Sequence, residues 1–452
     1  MRSSAASDVY KRQGFFLNLI DNTEKHIAFE KEKYLATHDT LTGLYNKNYF
    51  AQKTSEILNE NPDKEWLLIC SNIKDFKLVN DLFGLEKGNE VLKMEADLLK
   101  AQCGEGSVYG RTGGDKFAIC IPKEEFKEQD FMDAIQTMGH AFNNDLYHLH
   151  IYVGVYEITD RNEEVSIMCD KANLAIKTLG ENYDKSIAYY NDTIFHDTVA
   201  EKQLVGDFDK ALAEKQFCMY LQPQVNRDGA AKGAEALVRW AHPSRGILTP
   251  YAFIDILENA GLIYKLDLYI WEKAAQKLAE WKEKGYGSYH ISVNISTKDF
   301  YIIDIYETFT GLINKYGIAA SNLHLEITET TLMTDFEKNM NIIHKLQGVG
   351  FRVEIDDFGS GYSSLNMLKD ISADVLKIDM GFLRKSENEV KGQDILESII
   401  TLAGKIGMDV ITEGVETKKQ LDMLTMMGCH EFQGYYFSKP VPVSEFEEKY
   451  LV

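Results

Sequence analysis

From residue 205 to 449 the chain repeats one pattern: a short apolar strand, a carboxylate or amide at its end, then a helix. The candidate strands are 218–223, 233–240, 290–295, 323–328, 352–356, 375–378, 410–412 and 431–434. Eight such strands in about 245 residues, most followed by helices, are the tally of a (β/α)8 TIM-like barrel, an α/β fold. Functional side chains of such barrels gather where the strands end. Those ends carry Glu235, Asn294, Glu326, Asp356, Asp357, Lys377, Glu413 and Gln433. A merely solvated surface has no need to place its acids at one rim.

The stretch Phe351-Arg-Val-Glu-Ile-Asp-Asp-Phe-Gly-Ser-Gly361 is the most informative of these ends. Phe351, Val353 and Ile355 alternate with polar residues, the period of a strand. Gly359 and Gly361 then allow tight turns. Asp356 and Asp357 are adjacent carboxylates that repel one another unless a cation stands beside them. A pair of divalent metals would supply that charge. A solvated Asp- and Gly-rich turn is the competing reading, and the rim of acids weighs against it.

The whole chain has 452 residues, room for two or three domains of roughly 100–200 residues. Its formal net charge of -21 argues against a nucleic-acid polymer as partner. A small anion remains compatible, because bound metal inverts the local charge of a site. The six cysteines are scattered without paired metal-ligand spacing and read as reduced core thiols. No apolar run is long enough to span a membrane, and the start lacks a signal peptide's apolar region. Residues 8–37 read as one helix, which either packs on the adjoining domain or pairs with its own copy in a dimer. His430 falls at a strand start, and none of the histidines reads as part of a metal cluster. Tyr435, Tyr436 and Phe437 read as barrel packing, with guanine stacking as the alternative.

Residues 36–190 intermix strands and helices around a central hairpin, a compact α/β domain. Strands are expected at 66–70, 107–110, 116–121, 150–156 and 186–190, with helices at 88–102, 128–146 and 165–179. This region resembles a GGDEF domain, the nucleotide-cyclase-type fold of diguanylate cyclases, through Gly113-Gly-Asp-Lys-Phe117 and Asp39-x-Leu-Thr-Gly-Leu-x-Asn46. It departs from that family where metal and substrate are held. Asn72 stands where cyclases have a metal-binding carboxylate. Lys116 replaces the fourth, acidic residue of the signature Gly113, Gly114, Asp115, Lys116, Phe117. Asn89 replaces the guanine-reading Asp, while the guanine-contacting Asn80 is kept. Gly104 and Ser107 occupy the places of the Arg-x-x-Asp product-inhibition motif. The resemblance therefore implies a degenerate, catalytically inactive domain with a regulatory or dimerisation role. A metal-independent GTP sensor using Lys116 is the alternative.

Residues 191–204 read as a polar helical linker, and 205–449 resemble an EAL domain, the cyclic-di-GMP phosphodiesterase family. The motifs are Gln222 in Leu-Gln-Pro-Gln, Glu235-Ala-Leu-Val-Arg239, Asn294 in Ser-Val-Asn-Ile-Ser, and Glu326 with Glu329 in Leu-Glu-Ile-Thr-Glu. Asp356-Asp-Phe-Gly-Ser-Gly361, Lys377 in Leu-Lys-Ile-Asp379, Glu413 with Glu416 in Glu-Gly-Val-Glu, and Gln433 in Gln-Gly-Tyr-Tyr complete the set. The resemblance implies two divalent ions, Mg²⁺ or Mn²⁺. Glu235, Asn294, Glu326 and Asp356 would hold the first, and Asp356, Asp357 and Glu413 the second. Lys377 would act on the attacking water, and Gln222, Arg239 and Gln433 would contact substrate. Glu329, Asp379 and Glu416 would support these groups or the loop at 359–368. The implied activity is hydrolysis of cyclic-di-GMP to linear 5′-pGpG, with a non-hydrolysing receptor as the alternative. A homodimer in the bacterial cytoplasm is expected, free or as the cytosolic part of a membrane-anchored protein.

Overall fold

The computed structural model describes residues 25–102, 104, 106–142, 149–180, 185–356, 358, 371–379 and 389–451. The chain divides near residue 200 into two compact units. Residues 25–37 are helical and exposed up to Tyr34 and Leu35. The part of the expected N-terminal helix before residue 25 lies outside the described residues, as do Cys103 and residues 143–148.

The first unit is built on a six-stranded sheet of β1 (Tyr45–Asn46), β2 (Trp66–Ile73), β3 (Val108–Gly113), β4 (Lys116–Pro122), β5 (Ile151–Glu157) and β6 (Ile187–Tyr189), in the order β1-β3-β4-β2-β5-β6. β2 is central and antiparallel to both β4 and β5. Its near-continuous apolar run follows from burial on both faces. Leu67, Ile69 and Ile73 pack with helices Phe76–Phe83, Leu85–Gln102 and Glu128–Ala141. Trp66, Leu68 and Cys70 pack with helices Lys47–Glu60 and Val165–Lys177. The second layer sits so close that a Cβ on Gly154 would lie 1.9 Å from the Ala172 carbonyl oxygen.

Helix Asp192–Ala213 leads into the second unit, where Leu204, Phe208 and Ala211 join the core. The strands there are β7 (Phe217–Val225), β8 (Ala231–His242), β9 (Gly246–Leu248), β10 (His290–Ile295), β11 (Leu323–Thr328), β12 (Val353–Asp356), β13 (Val375–Asp379), β14 (Asp409–Glu413), β15 (Glu431–Phe432) and β16 (Val441–Pro442). The order β7-β15-β14-β13-β12-β11-β10-β8 closes on itself through the β7–β8 pairing, giving an eight-stranded barrel. This is the TIM-like barrel expected, with one departure from a simple (β/α)8 plan in the direction of β7. That strand is antiparallel to both of its barrel neighbours, because it returns directly into β8 as a hairpin around Asn226 and Gly229. The seven other barrel strands are mutually parallel where they pair.

Alternation along the strands separates two environments. Ile291, Val293, Leu323, Leu325, Ile327, Val353, Ile355, Leu376 and Ile378 belong to the apolar cluster under the helices. The residues of opposite parity fill the barrel with buried polar groups, among them Ser292, His324, Glu326, Glu354 and Lys377. Two expectations fail on exposure: Cys218 is exposed, and Tyr435 and Tyr436 are 60% and 41% exposed instead of packing in the barrel. Phe437 does pack, tilted against Phe432.

Candidate active site

Each barrel strand delivers one polar group to the same end. β8 supplies Glu235, β10 Asn294, β11 Glu326, β12 Asp356, β13 Lys377 and β14 Glu413; Gln222 comes from β7 and Gln433 directly follows β15. Lys377 is fully buried at the centre. Its Nζ lies 2.6 Å from Glu413, 2.7 Å from Glu326, 3.4 Å from Asp356 and 3.5 Å from Glu235. Gln433 Nε2 donates to Glu235 Oε2 at 2.5 Å and to Gln222 Oε1 at 3.3 Å. Asn294 Nδ2 donates to the other Glu235 oxygen at 3.1 Å. Glu235 is thus oriented from both sides, and Gln222 is tied back through Nε2 to the Ser438 carbonyl.

The electrostatics of this ring are unbalanced. Burial drives Glu326 well above the usual carboxylate range, and the charge of Glu235 pushes the same way. Burial also lifts Glu413 to about 8. Burial works against the Lys377 charge, but Asp356, Glu235, Glu326 and Glu413 together outweigh it and hold its pKa well above normal. One ammonium cannot neutralise four carboxylates. Both oxygens of Glu326 and Oε1 of Glu413 are buried without an aligned hydrogen-bond donor. Hard oxygen donors, excess negative charge and buried acceptors fit a divalent cation of the Mg²⁺ or Mn²⁺ type.

Other sequence-predicted residues lie on the same strands or on the segments that follow them. Arg239, four residues beyond Glu235 on β8, is half-buried with its guanidinium 5.5 Å above the Tyr220 ring. Glu329 opens helix Glu329–Thr334 and Asp379 ends β13 in register with Glu413. Glu416 is exposed, and its backbone N–H donates to Gln420 Oε1. Asp357 and the loop at 359–368 lie outside the described residues.

Sequence reasoning missed a second polar layer beneath the ring. Glu354, His324, Ser292 and Gln224 are buried there, with His290 at its edge. A signal was present: His324 and Glu354 share strand parity with Glu326 and Asp356. The sequence reading, which found no metal cluster among the histidines, also did not foresee that His290, His324 and Glu354 offer ligand-type atoms within 4.8 Å of one another.

In the first unit, Asn72 and Lys116 are partners in the β2–β4 register. Asn72 Oδ1 is buried without a hydrogen-bond donor, and Lys116 is exposed. Gly113 and Gly114 have φ of 143° and 59°, which the hairpin turn requires and glycine tolerates. Asp115 is half-buried and Phe117 fully buried. Asn80 lies against Gly88, where a Cβ would sit 2.0 Å from its Oδ1, and Asn89 is exposed. Arg111, unremarked in the sequence, donates to the Gly114 carbonyl and pairs with Asp39 at 3.1 Å, tying the opening motif to the hairpin.

The sequence matches the EAL domain family over residues 205–440. The chain belongs to the EAL family. Ahead of its EAL domain, residues 36–185 match the family described as diguanylate cyclase, GGDEF domain. Two relatives align with nearly the whole chain. The bifunctional diguanylate cyclase/cyclic di-GMP phosphodiesterase MucR of Pseudomonas aeruginosa is 28% identical over 91% of this chain and 61% of its own. The cyclic di-GMP phosphodiesterase PdeR of Escherichia coli is 28% identical over 95% of this chain and 66% of its own. The chain therefore spans less than two thirds of these relatives' length. Among solved structures, the PaMucR phosphodiesterase in complex with c-di-GMP superposes with a TM-score of 0.52 at 33% identity, covering 54% of this chain and 99% of that one. The S helix-GGDEF-EAL portion of Vibrio cholerae LapD, bound to c-di-GMP, shares the fold at TM-score 0.56 and 18% identity, covering 91% and 98%. Among the described residues, no helix of this GGDEF–EAL protein is long and apolar enough to cross a membrane.

Proposed function

We propose that the EAL domain hydrolyses one phosphodiester bond of cyclic-di-GMP, giving linear 5′-pGpG with water as nucleophile and a 3′-oxygen leaving. The observation that carries this reading is Lys377: one buried ammonium within 3.5 Å of carboxylates from four strands. Two divalent ions, Mg²⁺ or Mn²⁺, held by Glu235, Asn294, Glu326 and Asp356 and by Asp356, Asp357 and Glu413, would supply an acidified water and charge neutralisation at phosphate. Gln433 and Asn294 fix Glu235 by hydrogen bonds to its two oxygens, so this ligand enters the reaction already oriented. Lys377, held charged by its neighbours, offsets negative charge that develops on the phosphoryl oxygens. Arg239 brings a planar fork suited to a substrate phosphate, and the amides of Gln222 and Gln433 offer donors and acceptors toward the guanine end. The names of MucR and PdeR support the substrate class.

The GGDEF domain, in this reading, makes no cyclic-di-GMP. Cyclisation of GTP relies on metal at the phosphates, and an amide beside an ammonium at Asn72 and Lys116 is a poor place to hold one. Its role is regulatory or dimerising.

The test is a timed product assay on the full chain with cyclic-di-GMP and Mg²⁺ or Mn²⁺, with Asp356→Ala alongside. A pGpG peak that grows with time and is absent from the variant is expected. Intact substrate under both metals together with tight calorimetric binding would overturn hydrolysis in favour of the receptor reading. Incubation with GTP and Mg²⁺ is expected to yield no cyclic-di-GMP; its appearance would overturn the inactive assignment of the first domain.

A further inference from the structure

The barrel's other mouth holds a second set of ligand-type side chains. A cavity of about 1030 Å³ opens among the strand starts, lined in part by Lys232, His290, His324, Arg352, Asp409 and Glu431. On its floor His290 and His324, together with the fully buried Glu354, offer a nitrogen, a nitrogen and a carboxylate oxygen within 4.8 Å of one another. We propose that this floor is a binding site for one divalent transition metal of the imidazole-preferring kind, such as Zn²⁺, separate from the oxygen-rich ring around Lys377.

The surrounding hydrogen bonds are those a metal site needs. A ligating histidine is oriented by donating its other ring N–H to an oxygen. His324 Nε2 lies 3.2 Å from the Ser321 carbonyl, an obligate acceptor, so Nε2 carries hydrogen and Nδ1 is left facing Glu354 at 2.6 Å. His290 Nε2 is likewise held at 2.7 Å by Gln224 Oε1. Ser292 Oγ donates to Glu354 Oε1 at 3.2 Å. The other Glu354 oxygen, fully buried, has no hydrogen-bond partner. Room for the first ring is built into the backbone: a Cβ on residue 233 would lie 2.4 Å from His290 Nε2, so only glycine lets the imidazole lie across β8. The two rings stack face to face, with centroids 3.9 Å apart and planes within 5° of parallel, so binding one ion requires them to rotate out of that stack. Two imidazoles and a carboxylate leave a fourth position toward the cavity, and the set favours Zn²⁺-like ions over Mg²⁺.

The placement gives the ion a structural role. His290 shares β10 with Asn294, His324 shares β11 with Glu326, and Glu354 shares β12 with Asp356. An ion at the lower mouth would therefore fix the three strands that present oxygens at the upper one.

Co²⁺ provides a direct probe, because nitrogen-containing four-coordinate Co²⁺ absorbs far more strongly in the visible than octahedral Co²⁺ held by oxygens. Titrating the metal-free full chain is expected to give an intense band saturating at one equivalent, retained in Asp356→Ala and lost in His290→Ala and His324→Gln. No band in the wild-type chain, a band that survives both histidine variants, or one lost in Asp356→Ala would overturn the site. Should the histidine variants not fold, X-ray absorption of the wild-type chain with one equivalent of Zn²⁺ decides. Two imidazoles per zinc are expected, and oxygen-only coordination would overturn it.

Discussion

At Lys377, one ammonium faces Glu413, Glu326, Asp356 and Glu235 at 2.6 to 3.5 Å with no access to water. Replacing it with Met removes the charge but keeps most of the volume, leaving carboxylates to repel one another. Breaking such a buried pair costs about 3–5 kcal/mol, and losing one transition-state donor costs about 10²–10³ in kcat. Lys377→Met is therefore expected to lose hydrolysis by at least that factor. Its melting temperature should fall more in EDTA than in Mg²⁺, since a bound divalent ion takes over as counter-charge. An equal fall in both, read by calorimetry, would separate the carboxylates from metal binding. Glu95 offers a different residue-scale test in the first domain. It is 1% exposed, accepts a 2.6 Å hydrogen bond from Ser71, and burial pushes its carboxyl up to about 8. A raised pKa means that its contribution to stability is complete below about pH 4.5 and is lost as pH rises toward 8. The loss at pH 7 is about 3 kcal/mol. Glu95→Gln keeps an acceptor without the charge, so urea melts of the variant should lose this pH dependence and show greater stability than wild type at pH 7–8.

At the level of elements, close approach decides which glycines are replaceable. At Gly233 an added Cβ meets a side chain, the His290 ring at 2.4 to 2.5 Å. At Gly154 it meets backbone, the Ala172 carbonyl of helix Val165–Lys177. Overpacking of this kind costs about 1–3 kcal/mol. Gly233→Ala is expected to recover most of its loss when combined with His290→Ala, because the obstacle leaves with the ring. Gly154→Ala has no such side-chain rescue, since relief requires the helix to move off β5. Chemical denaturation of the single and double variants distinguishes the two. Strand positions themselves were legible: β10 and β11 span the residues the pattern predicts, and most others differ by one or two at an end. The short β1, β9 and β16 were not, because two or three residues carry no measurable periodicity and pair only where a neighbour's edge is offered.

On the scale of the whole molecule, the chain holds separate apolar clusters on either side of residue 200. Residues 201–452 contain every described member of the Lys377 ring and a complete closed barrel. A chain lacking residues 1–200 is therefore expected to unfold cooperatively and to retain metal-dependent hydrolysis that EDTA abolishes. Its kcat, compared with the full chain at matched concentration, measures what the GGDEF domain contributes. A changed rate is expected from a regulatory domain, and an unaltered one would argue against signal transmission through it.

The sequence alone determined the two-domain order, the strand-and-helix rhythm of the barrel, and the residue types at the strand ends. These are encoded locally: period-two alternation, turn glycines and short motifs survive being read without neighbours. Arg239, Glu329, Asp379 and Glu416 were found by motif, yet their distances from the ring could not be. Only the tertiary structure decided that Lys377 faces the carboxylates of four strands, that β7 runs against the rest, and that His290, His324 and Glu354 meet at the opposite mouth. The reason is physical. Strands separated by tens of residues acquire neighbours and register only when the barrel closes, and burial then turns ordinary side chains into strongly interacting charges.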